Sequence, residues 1–196
     1  HESGELSGSY LIEKTNTRFK GHFGTGFREP SLFEFFGRTL SSRGVLSTFG
    51  NPDLKPEKSI SWDVGAEQKL FHESMTAAGT FFKNEFSRRI AFVGGTYAMK
   101  EGGYSQGAEF ELKWRLLKNL QSAVTYTRTF SEADGRSGTG LPRHLFGFNL
   151  DWKFWNRFHY HLDFTYKGRE QIALFSIPSS TTKLVDQKAY HKADMK

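Results

Sequence analysis

Cysteine is absent from the chain, so no disulfide framework and no thiolate metal site belong to its design. Long apolar runs are absent as well: no stretch reaches the roughly 18 consecutive apolar residues of a membrane-crossing helix. Proline is scarce. Of five prolines in 196 residues, three (Pro30, Pro52, Pro56) fall in one stretch. Positive charge exceeds negative, 27 Lys and Arg against 21 Asp and Glu, giving a net charge of +6. That excess is spread out without a basic run, which argues against nucleic acid as a partner. What the chain has in quantity is aromatic side chains, 16% with 20 Phe, and 20 Gly, against a hydrophobic content of only 37%. This mixture fits a membrane β-barrel, whose strands are apolar on one face only. The opening HESGELSGSY lacks the charged segment and apolar run of a secretory leader. The closing HKADMK stops inside a strand pattern, so the chain reads as a fragment of a larger protein.

Two-residue alternation, weaker over Met75–Phe86, predicts strands over Leu6–Glu13, Arg18–Arg28, Ser59–Leu70, Met75–Phe86, Ser105–Leu116, Leu120–Phe130, His144–Phe154, Arg157–Lys167 and from Asp186 onward. That is about nine strands of roughly ten residues, the length a tilted membrane strand needs. Connections alternate in length. Short ones fall near 14–17, 71–74, 117–119 and 155–156, and long ones at 29–58, 88–104, 131–141 and 169–185. Such sorting is expected of an outer-membrane barrel with periplasmic turns and extracellular loops. Within the first long connection, SLFEFFGR has the spacing of one helical turn.

One face of each strand is rich in Phe, Tyr and Trp. The other carries full charges, among them Asp63, Glu67, Lys69, Glu109, Glu111, Lys113, Arg115, Asp151, Lys153, Asp163 and Lys167. At mid-depth in hydrocarbon an Arg or Lys would cost about 2–4 kcal/mol, so the charged faces must meet a wet interior. Trp114, Trp152, Phe154, Trp155 and Phe158 lie beside short turns, where an aromatic girdle is expected. The competing arrangement is an antiparallel sheet that packs one face on a soluble core.

The stretch Gly24–Glu67 contains two unusual runs, FREPSLFEFFG and GNPDLKPEKS, in a long connection between two alternating segments. Phe27, Arg28, Pro30, Leu32 and Glu34, followed by Asn51, Pro52, Asp53, Leu54, Pro56 and Glu57, resemble the paired signature of TonB-dependent outer-membrane receptors. Read physically, the second run is a rigid two-proline path aiming the chain into the next strand, with Asn51 and Asp53 suited to Asx turns and Glu57 placed to pair with Arg28 across the rim.

The resemblance implies an all-β fold, an antiparallel transmembrane barrel fragment taken from a barrel of roughly 22 strands around a plugged lumen. Residues 1–196 would be part of one barrel domain, without the N-terminal plug and the last strands. It implies a Gram-negative outer-membrane receptor, not an enzyme. Such a receptor takes up a scarce iron–siderophore or cobalamin ligand with energy from the TonB complex, and no cofactor is expected to be covalently bound. Outer-membrane lipid and the small-molecule ligand are the other expected partners. Ligand contact is expected from loop aromatic and Arg side chains, Phe33, Phe35, Phe36, Arg38 and Arg43, which suit a flat anionic chelate. Against this, the three Phe are at least as well explained by packing the loop onto its own rim.

Heme receptors of the same family place a His between the two runs. Residues 29–50 contain none. The alternatives are a heme receptor of the same family, a passive porin-like barrel or an enzyme in the outer membrane, and a soluble all-β module. His159 and His161 share a strand face at i, i+2, but no third metal ligand is evident, and they read as polar lumen residues. GTGF at 24–27 lacks the Lys and following helix of a phosphate loop. No catalytic constellation is expected.

Overall fold

The computed structural model describes residues 2–40, 44–133, 136–137, 141–155, 157–176 and 181–195. Fourteen strands and one short helix follow in chain order: β1 (Glu5–Ile12), β2 (Thr17–Arg28), α1 (Leu32–Phe36), β3 (Arg38–Leu40), β4 (Leu46–Thr48), β5 (Glu57–Leu70), β6 (Met75–Val93), β7 (Thr96–Leu117), β8 (Leu120–Ala133), β9 (Arg136–Ser137), β10 (His144–Phe154), β11 (Phe158–Lys167), β12 (Glu170–Ser176), β13 (Thr181–Gln187) and β14 (Tyr190–Met195). Nine strands form one antiparallel meander in the order β1-β2-β5-β6-β7-β8-β10-β11-β14, with β9 paired to the end of β8. The sheet is open, with β1 and β14 at its edges. Two small hairpins, β3–β4 and β12–β13, lie off it.

The nine strands and the short turns stand where alternation puts them. All four long connections differ from expectation, the first because 29–58 carries the small β3–β4 pair beside its helical turn. Residues 88–104 are not a loop: β6 and β7 continue in register from Arg88–Glu101 to Val93–Thr96 and meet at Gly94–Gly95. Both glycines have positive φ, 61° and 87°, the handedness a two-residue hairpin turn requires. Residues 169–185 contain the β12–β13 hairpin, so the last sheet strand starts at Tyr190 rather than Asp186. The polar stretch 131–141 is partly strand, with β8 running to Ala133; residues 134–135 and 138–140 lie outside the described set.

Among the described residues the buried apolar side chains are Pro30 and Leu54, the latter 6% exposed. A soluble sheet of this size would bury one face against a second layer. Here both faces are open, as in one wall of a barrel. Registered partners share a face, so each face can be followed across the sheet. The apolar row Phe19–Ala66–Gly79–Phe110–Tyr126–Phe146–Tyr166 crosses seven strands. The opposite face carries Lys20–Glu67 at 2.6 Å, His22–Asp63 at 3.4 Å and Lys113–Glu111 at 2.9 Å. It also carries Asp151, whose Oδ1 lies 3.1 Å from both His159 Nε2 and His161 Nδ1. Phe82 joins this charged face, packed over Gly107, which is why the alternation of β6 is weak in sequence.

The apolar window slides from strand to strand. Phe19 is its foot on β2, yet Phe19 shares a ladder row with Phe146, its top on β10. On β2 the window spans Phe19 to Phe27, on β6 Met75 to Phe81, and on β10 Phe146 to Phe154. This offset over five strand spacings corresponds to a strand tilt of about 45° to the window's edge, the tilt of membrane strands. At the lower edge Phe154 stacks on Phe158 at 5.4 Å, with Trp152 at 4.7 Å and Trp155 at 5.8 Å from Phe154. These rings are the aromatic girdle beside the short turns.

Candidate functional site

Residues 29–40 and 44–56 stand at the end of the sheet opposite the short turns. They are organised by one cation between two carboxylates. Arg28 closes β2 and Glu57 opens β5, and the two are registered partners. Arg28 Nε donates to Glu57 Oε2 at 2.7 Å, so the rim pairing expected from sequence is present. The rest of the guanidinium reaches Glu34 as a fork, Nη1 to Oε2 at 3.0 Å and Nη2 to Oε1 at 3.1 Å. A planar fork on a carboxylate fixes orientation as well as distance.

Glu34 is also the third residue of α1. Ser31 caps the helix: its Oγ accepts from the Glu34 N–H at 3.2 Å, and the Glu34 carboxylate accepts from the Ser31 N–H at 2.7 Å and from the Ser31 hydroxyl at 2.9 Å. This reciprocal capping box holds a helix of only five residues. The hydrogen bonds from Arg28, joined by those from Ser31 and opposed by desolvation, keep the Glu34 carboxyl below the usual carboxylate range. On the far side, Glu57 Oε1 accepts from the Ile90 N–H at 2.5 Å, which ties the rim to β6 above the membrane window.

The return path is built by GNPDL. Gly37 and Gly50 pack so closely that a Cβ on Gly37 would lie 2.2 Å from the Phe49 ring, and one on Gly50 would lie 2.4 Å from Gly37 N. The Gly37 carbonyl accepts from the Phe49 N–H at 3.0 Å and from the Gly50 N–H at 2.9 Å. Asn51 donates through Nδ2 to the Tyr97 carbonyl at 2.9 Å and accepts from the Asp53 N–H at 2.9 Å, the expected Asx turn. Phe33 and Phe49 meet at 4.9 Å, and Phe49 lies 6.2 Å from Phe92 and 6.3 Å from Tyr97. The loop is thereby docked on the β6–β7 hairpin.

The structure brings Arg28, Glu34, Asn51 and Glu57 into one network, the Asn51 N–H donating to the Glu34 carbonyl at 2.8 Å, and Pro30 and Leu54 are buried. Pro52, Asp53 and Leu32 are exposed, and Phe27 faces outward on the apolar side. Phe33 packs against Phe49 while remaining 60% exposed, Phe36 is equally open, Phe35 is half-buried, and Arg38 is exposed at the start of β3. Arg43 lies outside the described residues. Ser31, Ile90 and Tyr97 were missed as partners. The Ser31-x-x-Glu34 spacing is itself a capping-box signature and is the signal that finds the first. Among the described residues no group of three or more His, Cys, Asp or Glu side chains is placed to hold a metal ion.

A tilted antiparallel wall with an apolar band, a charged inner face, an aromatic girdle at the short turns and a built loop at the other end defines an outer-membrane β-barrel protein. The profile of the family described as TonB dependent receptor-like, beta-barrel matches residues 6–196, and the chain belongs to that family of receptors and transporters. It is 30% identical to the iron-regulated outer membrane virulence protein of Vibrio cholerae serotype O1 (El Tor), over 77% of this chain and 26% of that protein. The chain thus spans about a quarter of the length of the curated relatives it matches. Among solved structures, a mutant of the ferric enterobactin receptor of Pseudomonas aeruginosa superposes with a TM-score of 0.75 at 17% identity, over 98% of this chain and 32% of that one. The siderophore receptor PirA of Acinetobacter baumannii gives 0.73 at 17% identity, over 98% and 34%. These likenesses establish the barrel fold and place the chain in the outer membrane of a Gram-negative cell.

Proposed function

We propose that the chain is barrel wall from a receptor that takes up a ferric siderophore. The observation that carries this reading is the 30% identical relative, whose name records iron regulation at the outer membrane. The solved relatives add receptors for enterobactin and pyoverdine. In this reading a plug lies elsewhere in the full-length protein, fills the charged interior, and is moved by the TonB complex. The rim network holds α1 and β3 at the mouth, and Phe36 and Arg38, both exposed there, contact the aromatic, anionic chelate. Phe33, Phe35 and Arg43 complete the candidate set, with Phe33 shared between ligand and loop packing.

The test is growth of an iron-starved receptor-deletion strain, complemented with the full-length protein and supplied with single ferric siderophores. Growth on at least one of them, abolished without TonB, is the expected result. Phe36→Ala and Arg38→Ala should each weaken ferric siderophore binding about tenfold, read by fluorescence quenching of the purified receptor. Failure of every ferric siderophore to restore growth while the receptor takes up labelled cobalamin, or growth that persists without TonB, would overturn the reading.

A further inference from the structure

On the outer side of the membrane β7 outruns its neighbour. The last β7–β8 pair is Gly103–Ala133, where the chain turns back through Ala133–Arg136 into β9. Above it β7 continues from Gly102 to Thr96 with β6 on one side only. The hairpin register fixes where its main-chain groups point. In an antiparallel pair, opposed residues alternate between exchanging both ladder bonds and exchanging none. Tyr97, opposite Phe92, is of the second kind: its N–H donates to the Phe49 carbonyl at 3.0 Å and its carbonyl accepts from Asn51 Nδ2 at 2.9 Å, both away from β6. Ile90, opposite Met99, is of the same kind, since its N–H leaves the hairpin for the Glu57 carboxylate. Met99 and Glu101 therefore turn their N–H and C=O groups to the side that β8 vacates. Among the described residues no main-chain group meets them there.

This edge is a slot with two ends. At the upper end the chain itself shows how the edge is read: Phe49 takes the Tyr97 N–H as a paired strand would, and the path then leaves at Pro52, which has no N–H to give. At the lower end stands the Ala133–Arg136 turn. Tyr97 and Gly103 are about 20 Å apart along the strand, which leaves room for a short extended segment. One face of the slot is apolar. Met99 and Ile90 are registered partners, both half-buried, and they continue the cluster of Phe92, Tyr97 and Phe49. The other face carries Lys100 beside Arg89. Main-chain donors and acceptors at two-residue spacing are matched by another extended backbone, not by a compact ligand. The stretches of this chain that border the slot, 49–51 and Ala133–Arg136, end it rather than fill it.

We infer that β7 takes up, between Tyr97 and Gly103, an extended segment of a second protein at the cell surface, which adds one short strand and lays its apolar side chains on Met99 and Ile90. The inference does not depend on which chelate the receptor carries. The test reads hydrogen exchange residue by residue in the full-length receptor in detergent, alone and with an end-blocked peptide of alternating Thr and Val as probe. Alone, the Met99 and Glu101 amides should exchange much faster than those of Ala98 and Lys100, which are held in ladder bonds to Ala91 and Arg89. Millimolar peptide should slow Met99 and Glu101 about tenfold and leave Ala98 and Lys100 unchanged. The same peptide methylated on every nitrogen has no donor and should have no effect. Glu101→Pro removes one free donor and no ladder bond, because Glu101 and Arg88 are opposed without exchanging bonds, and it should abolish the protection of Met99. Heat-modifiable electrophoretic mobility checks that the variant is folded; should it fail, the methylated peptide gives the reading. Met99 and Glu101 amides as slow as their neighbours in the receptor alone would mean that another part of the receptor occupies the edge. That result, no slowing by the unmethylated peptide, or equal slowing by both peptides would each overturn the inference.

Discussion

Four hydrogen bonds converge on the Glu34 carboxylate, two from Arg28 and two from Ser31, in a side chain only 13% exposed. Removing it uncaps α1 and frees one arm of Arg28. Glu34→Ala is therefore expected to destabilise the loop locally by about 1–2 kcal/mol. This would appear as roughly 5- to 30-fold faster hydrogen exchange over residues 31–37 of the full-length protein. Arg28→Ala should have at least as large an effect, since it also releases Glu57. The pH dependence has a definite sign. Because the Glu34 carboxyl is held below its ordinary value, its contribution is complete above the usual carboxylate range and is lost only as pH falls through the depressed value. Loop exchange, corrected for its intrinsic rate, should be flat from about pH 8 to pH 5 and accelerate only below about pH 4. An acceleration near pH 6 would mean that another group controls the loop. At this scale the sequence was partly legible. The Arg28–Glu57 pairing follows from their places at adjoining strand ends. The Arg28–Glu34 fork does not, because it needs α1 to turn Glu34 back toward the strand. The Asn51–Tyr97 bond joins residues far apart in sequence through a hairpin that read as a loop.

Among the elements, α1 and the β3–β4 hairpin share one crossing point, where Gly37 meets Phe49 and Gly50. A methyl group at either glycine meets backbone or a ring at well under contact distance. Gly50→Ala is expected to cost about 1–3 kcal/mol by forcing this crossing apart. Limited proteolysis of the folded receptor should then cleave between residues 38 and 48 at protease levels the wild type survives. Cleavage unchanged from wild type would show that the crossing is not what orders the hairpin. The longer reach of β6 and β7 was partly hidden for a physical reason. The apolar run IAFV at 90–93 does suggest a strand extension on the β6 side, but the glycine-containing sequence 94–104 that follows has no clear alternation although the ladder bonds continue. The short turns, by contrast, sit where the apolar pattern stops on both neighbouring strands, and they were legible to within a residue or two.

At the scale of the whole molecule, the sheet has two unpaired edges and almost no enclosed core. In lipid each unsatisfied edge group costs several kcal/mol, and in water the apolar window has nothing to cover it. Residues 1–196 expressed alone should not give a monodisperse monomer that melts cooperatively without detergent. Analytical ultracentrifugation and calorimetry check this, and a cooperative detergent-free monomer would require a second layer that the described residues do not supply.

The slope of the apolar window carries a consequence for how the two ends of the molecule communicate. A strand that rises through a band about 25 Å tall at about 45° travels sideways past roughly four neighbours before it emerges. The mouth loop between β2 and β5 therefore does not stand above the feet of those strands. The point vertically beneath it lies beyond the β1 edge of the sheet, while the feet of β2 and β5 lie under the tips of β7 and β8. A push from below, delivered at the base of any one strand, is felt outside about a sixth of the way around the circumference of a barrel of roughly 22 strands. Cross-links meant to span from the interior to the loop should be placed along that diagonal and not along a single hairpin.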